Sequence, residues 1–235
     1  MKFWQYARLC RIAYKKNNRI LEELKKLGYT DVKIIEEGFL KCYIIKFGFW
    51  QYVIFKGTDN WKEVVMDATL FPTVEEVGKV HLGIWYGATK LQNKIKLCID
   101  PVLSTVFIGH SLGAALAWYV SDMFFLQGFE KIAEVVGFGV PKLGNKNYKK
   151  FMATENFKKI KFQNNFDIIC NLPAFFNDCY SKLYYINYKN KIIENPSKFL
   201  ILEDKIKMIF SFRFRELVKD HKIQSYFDIL RELRL

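Results

Sequence analysis

The stretch STVFIGHSLGAALAWYVSDMFFL, residues 104–126, decides the fold. Ser104–Ile108 is a short apolar run that suits a buried strand, and Leu112 to about Leu126 reads as an apolar helix. Between them, Gly109-His110-Ser111-Leu112-Gly113 makes a sharp turn. Such a turn holds its serine in strained backbone geometry, and a side chain two positions away on either side would collide with the neighbouring strand or helix. The turn lifts the hydroxyl to the end of a sheet, beside the positive end of the helix. The Leu112 amide then points to where a tetrahedral oxyanion would form. These residue types in this order point to nucleophilic catalysis by Ser111.

Outward from the turn, strand and helix signals alternate. Phe3–Leu27 carries apolar residues at three- and four-residue spacing and ends at Gly28, which predicts one amphipathic helix. Leu40–Phe47 and Tyr52–Phe55 predict a hairpin around Gly48. Gly83–Ile99 reads as a helix. Glu134–Phe138 and Lys158–Phe162 read as strands, and Leu183–Asn187 with Lys191–Glu194 as a hairpin. Two helices are expected at the end, about Asp204–Val218 and Lys222–Leu233. The pattern predicts an α/β fold with a mostly parallel sheet covered on both faces, in one domain over 1–235.

A serine hydroxyl needs a base, and the chain has three histidines. His110 neighbours Ser111 on the tight turn, so its ring should project away from the hydroxyl. His81 lies upstream of the nucleophile, whereas this fold orders its residues serine, acid, histidine. His221 remains, in a loop between two expected helices. The acid must then fall between Ser111 and His221, with Asp122, Glu134, Asp167 and Asp178 as candidates. Asp122 sits well along the helix that leaves the turn. Asp167 closes a strand and should emerge at the sheet edge, where an acid orients imidazole; Asp178 is the reserve. Tyr52–Phe55 runs into Lys56-Gly57-Thr58, where Thr58 offers a second oxyanion donor, although read alone this is a strand-ending turn.

The net charge is +13, which favours anionic partners. Residues 1–26 and the seven lysines of 142–161 are the basic stretches, and ordinary solvated surface explains both. Five cysteines without C-x-x-C spacing argue against zinc and suit a reducing compartment. Lys2, Arg8 and Arg11 interrupt any signal-peptide core, and Leu112–Leu126 is too short to span a bilayer. A cytoplasmic protein, at most peripheral to a membrane, is expected. Lys205–Arg215 has the composition to insert at an interface, but Ile206, Phe210, Phe214, Leu217 and Val218 share one face and favour a core helix. No recognition motif accompanies the lysines, so no nucleic-acid partner is expected.

With these residues in hand, the chain resembles the class 3 lipase family from about Phe55 to Tyr226, and the N-terminal helix with its Ala13-Tyr14 is also similar. The likeness rests on ordered segments: Phe55-Lys56-Gly57-Thr58; Trp61 to Asp67; Val80-His81-Leu82-Gly83; Ile108 to Ala117; Phe138 to Asn145; and Asn164-Asn165-Phe166-Asp167 with Leu172-Pro173. The resemblance implies an α/β-hydrolase fold, a catalytic triad of Ser111, Asp167 and His221, and an oxyanion hole from Thr58 and the Leu112 amide. It implies a lid over about Asp59–Phe71, a lipid ester substrate, and no metal or organic cofactor. Lys56 stands where the family usually carries arginine, a change expected to affect loop anchoring. The basic, aromatic-rich composition adds peripheral contact with an anionic lipid surface. The rival reading is a non-catalytic lipase-like interaction domain, which a missing triad member would favour.

Overall fold

The computed structural model describes residues 1–58, 73–74, 77–210 and 220–235, with backbone alone for 73–74 and 209–210. The expected lid lies outside these residues, as does the expected helix beyond Phe210. In chain order the elements are α1 (Phe3–Ala13), α2 (Asn17–Lys26), β1 (Val32–Glu37), β2 (Leu40–Phe47), β3 (Trp50–Phe55), β4 (Thr73–Val74), β5 (Gly78–Lys79), α3 (Leu82–Lys96), β6 (Ser104–His110) and α4 (Leu112–Leu126). They continue with β7 (Ile132–Phe138), α5 (Lys146–Met152), β8 (Lys158–Asn164), a 3-10 turn (Ile168–Asn171), β9 (Lys182–Ile186), β10 (Ile192–Glu194), α6 (Lys198–Phe210) and α7 (Ile223–Glu232).

Eight strands form one sheet in the order β1-β2-β3-β6-β7-β8-β9-β10. From β3 to β9 every pairing is parallel, and the antiparallel pairs are confined to the edges. Side chains alternate between two cores, as strand geometry requires. Val53, Phe55, Phe107 and Val135 face the side covered by α3 and α4. Tyr52, Ile54, Val106, Ile108 and Val136 face the side covered by α1 and α7. Burial on both sides explains why the central strands read as continuous apolar runs rather than alternating ones.

Three expectations change. The helix foreseen over Phe3–Leu27 is two, because Lys16 is extended (φ −68°, ψ 151°). A straight helix of that length would run about 37 Å, beyond strands of roughly 20–25 Å. Secondly, the basic stretch 142–161 is not wholly solvated: Lys159 and Lys161 are buried. Lys159 pairs with Asp122 and with Glu155 (3.0 Å), and the Tyr148 hydroxyl donates to Asp122 (2.7 Å). Lys161 pairs with Asp178 (2.8 Å) and donates to the Cys170 carbonyl (3.3 Å). Thirdly, α6 buries Asp204 and Met208 rather than Ile206, which is 44% exposed. The Tyr185 hydroxyl donates to Asp204 (2.8 Å), and so does the Tyr188 amide (3.1 Å), so hydrogen bonding overrides the apolar stripe.

Removing one partner of a buried ion pair strands the other. Asp122→Asn leaves Lys159 with Glu155 alone, a carboxyl that burial pushes above the usual carboxylate range. Urea unfolding of this variant should show a loss of about 3 kcal/mol.

Candidate active site

Ser111 has φ 58° and ψ −127°, a backbone conformation that costs a non-glycine residue roughly 1–3 kcal/mol. Its surroundings impose that geometry. The Ser111 amide donates to the Phe138 carbonyl of β7 (2.9 Å), and its carbonyl accepts from Ala114 (2.9 Å) as α4 begins. The flanking glycines have no alternative: a Cβ on Gly109 would run into the Gly113 carbonyl, and one on Gly113 into the Phe55 carbonyl of β3. The register pairs Phe55 with Gly109 and His110 with Phe138, so β3, β6 and β7 end together. Thr58 follows Gly57 just beyond β3, at that same end of the sheet. Leu112 opens α4, where the first amides have no acceptor within the helix.

His221 lies just before α7. Its Nε2 is 2.9 Å from Ser111 Oγ, and its Nδ1 is 2.9 and 3.0 Å from the two Asp167 carboxylate oxygens. A carboxylate only accepts, so Nδ1 carries the proton and Nε2 is left to accept from the serine hydroxyl. Asp167 sits on the loop after β8 rather than on the strand, capping the 3-10 turn through the Ile169 amide (3.0 Å). It is fully buried and also accepts from the Tyr226 hydroxyl (2.6 Å). Burial, then the adjacent Asp167 charge, holds that phenol well above its ordinary pKa, so it stays a donor.

The other candidates go elsewhere. Asp122 and Asp178 are spent on Lys159 and Lys161, and Glu134 accepts from Tyr6 (2.8 Å). His81 caps α3 by accepting from the Ile84 amide. His110 points away from Ser111, yet it belongs to the site in a way the sequence does not disclose. Its Nε2 donates to the main-chain carbonyl of His221 (2.6 Å), and its Nδ1 accepts from the Tyr14 hydroxyl (2.7 Å). Asn164 adds a second tether, donating through Nδ2 to the Asp220 carbonyl (3.1 Å), while its amide donates to the Tyr226 hydroxyl (2.9 Å). The signal for Tyr14 is the likeness of the first helix and its Ala13-Tyr14 to the family; its pairing with residue 110 is not written in the local sequence.

The arrangement belongs to a known architecture. A family model for class 3 lipases matches residues 52–177, and the chain belongs to that family. Its fold is the α/β-hydrolase fold. A triacylglyceride lipase of Rhizomucor miehei superposes with a TM-score of 0.67 at 17% identity, with 82% of each chain covered. Lipase II of Rhizopus niveus gives 0.65 at 17% identity, over 93% of this chain and 91% of that one. In sequence, a 76-residue segment is 32% identical to the chloroplastic phospholipase A(1) DAD1 of Arabidopsis thaliana. That segment is 32% of this chain and spans 17% of the relative's length. The chemistry of the family is lipid ester hydrolysis.

Burial first, and then the neighbouring His221, push His110 down to about 3 from an ordinary 6.5. The unfolded chain therefore takes up this proton near 6.5 and the folded chain only near 3. The stability that neutral His110 allows is present above 6.5 and is lost as pH falls through that window. His110→Gln should unfold more easily in urea at pH 7. Between pH 6 and pH 4 its stability should fall less steeply than the native protein's, by up to about 1.4 kcal/mol per pH unit.

Proposed function

We propose that the chain is a serine hydrolase that cleaves the acyl ester of a glycerolipid or phospholipid, with Ser111, His221 and Asp167 as its catalytic triad and residues 1–235 acting as one unit. The observation that carries this reading is the continuous hydrogen-bonded line from Ser111 Oγ through His221 to Asp167. In the first step Ser111 attacks the ester carbonyl while His221 Nε2 takes its proton. His221 then returns that proton to the departing alcohol. Water attacks the acyl-enzyme with His221 again as base, releasing the fatty acid and restoring the serine. Asp167 holds the imidazole in the tautomer this requires and stabilises the imidazolium.

The Leu112 amide and Thr58 act as oxyanion donors in this scheme. The support for Leu112 is its place at the start of α4, where unpaired amides and the helix dipole favour developing negative charge. The support for Thr58 is its place at the end of β3, next to the strand that carries the elbow. An apolar acyl chain suits the exposed side chains at this end, among them Leu82, Ile168 directly after Asp167, and Phe175. The net charge of +13 supports peripheral contact with an anionic lipid surface and makes phospholipid as reasonable a substrate as neutral glyceride. No helix among the described residues is long and apolar enough to cross a membrane.

Ser111→Ala should abolish labelling by a fluorophosphonate probe and hydrolysis of a short-chain ester, with an unchanged unfolding midpoint. Asp167→Asn should lower kcat by about 10⁴-fold, because it no longer selects the tautomer. Full hydrolysis by Ser111→Ala would assign the activity to another group and overturn the triad. A panel of tri-, di- and monoglycerides and phospholipids then ranks the substrates.

A further inference from the structure

Exposed apolar side chains also gather at the end of the sheet opposite Ser111. The β2–β3 hairpin turns there through Phe47-Gly48-Phe49-Trp50, with Gly48 in the left-handed region (φ 59°). Phe47 is 62% exposed, Phe49 85% and Trp50 43%. This turn is not a loose tip. The Ser104 amide donates to the Phe49 carbonyl (3.0 Å), the Gln51 side chain donates to the Asp100 carbonyl (2.7 Å), and the Asp100 amide donates back (2.9 Å). These bonds fix the turn beside the loop after α3, where Leu97 and Val102 are 85% and 76% exposed. Lys96 reaches Gln127 (3.1 Å), which brings the end of α4 and its exposed Leu126 to the same side.

Singly exposed apolar residues are ordinary, but a rigid turn of three aromatics beside further exposed aliphatics is a patch. Exposed lysines rim it: Lys25 and Lys26 ahead of Tyr29, whose ring is 6.0 Å from Phe47, then Lys96, Lys131 and Lys158. The acids of this end are fewer: Asp31 and Glu130 are exposed, Asp100 is half-buried with its carboxylate accepting from the Val102 amide (3.0 Å), and Glu134 is held by Tyr6. We propose that this end is a lipid-docking surface distinct from the catalytic mouth. Phe47, Phe49 and Trp50 enter the interface of an anionic bilayer while the lysines meet its headgroups.

The aromatic rings supply apolar area at small entropic cost, and an indole suits the headgroup boundary. A second copy of the chain fits this end poorly, because a symmetric contact would bring two basic rims together. Docking here turns the end that bears Ser111 away from the bound surface. On the hydrolase reading, the enzyme then acts on esters presented from the aqueous side or from an apposed surface, not on the membrane beneath it.

The test is flotation of the full chain with vesicles of phosphatidylcholine alone and of phosphatidylcholine mixed with phosphatidylglycerol, at low and high salt. The native protein should float with the mixed vesicles, and salt should weaken it. Phe47→Ser/Phe49→Ser should bind about tenfold more weakly, yet hydrolyse a soluble short-chain ester within about twofold of the native rate. Lys96→Glu/Lys131→Glu should lose affinity for the mixed vesicles only. Flotation of Ser111→Ala should match the native protein, so failure of the catalytic assignment leaves this result readable. Equal flotation of native protein and the phenylalanine variant overturns the proposal. So does absence of native binding to mixed vesicles, or light scattering that shows a native dimer converted to monomer by the phenylalanine variant.

Discussion

One backbone torsion organises the catalytic end of this molecule. A serine at φ 58° is unfavourable, and three neighbours enforce it: the Phe138 carbonyl that receives its amide, the start of α4 that receives its carbonyl, and the β3 backbone that leaves Gly113 no room for a Cβ. Each comes from a different element, so the elbow persists only while β3, β6, β7 and α4 are packed. The local cost is met by the apolar cores on both faces of the sheet. The hydroxyl is thereby fixed relative to the sheet rather than to a loop, and such rigidity is what positions reacting groups within a few tenths of an ångström.

The partner of that hydroxyl has no strand beneath it, and its position is secured differently. His221 follows a stretch outside the described residues and precedes α7. Three side chains hold this junction: His110 on the His221 carbonyl, Asn164 on the Asp220 carbonyl, and Asp167 on the ring. His110 is adjacent to Ser111 in the chain, so the Ser111 hydroxyl and the His221 imidazole are referred to one strand end. The deep burial that keeps His110 neutral matters here. A second cation 4.8 Å away, ring to ring, would oppose formation of a His221 imidazolium in the proposed proton transfer. Tyr14 completes the line and makes the end of α1 part of the support.

The α/β class and its parallel centre were legible because the central strands are buried on both faces and the glycine-flanked serine has few structural alternatives. Chain order and a choice among three histidines pointed to His221, while Asp167 was preferred to Asp178 for its expected place at the sheet edge and by the family resemblance; the structure brings both beside Ser111. What escaped depends on partners distant in sequence. Lys159 and Lys161 look like surface until Asp122 and Asp178 approach from 37 and 17 residues away. The break after Ala13 is an extended Lys16 between α1 and α2, which the apolar spacing of Phe3–Leu27 does not mark. Ile206 faces out because Asp204 has two donors waiting inside, and hydropathy does not count hydrogen bonds.

A parallel sheet has two chemically different ends, and this chain uses them unequally. At the carboxyl ends of the strands, helix amino termini and connecting loops supply amides, imidazole and carboxylate, so polar atoms there have work in the proposed reaction. At the amino ends, the strands begin from turns with no such chemistry to perform, and solubility alone would favour polar residues. The Phe47–Trp50 turn violates that expectation while being firmly hydrogen-bonded to its neighbours. Disorder or a poorly formed edge therefore does not account for it. Rigid aromatics rimmed by lysines are complementary to a medium that is apolar inside and anionic at its surface. The mouth, 111 residues into the chain and at the other end of the same strands, is left free for a separate encounter with substrate.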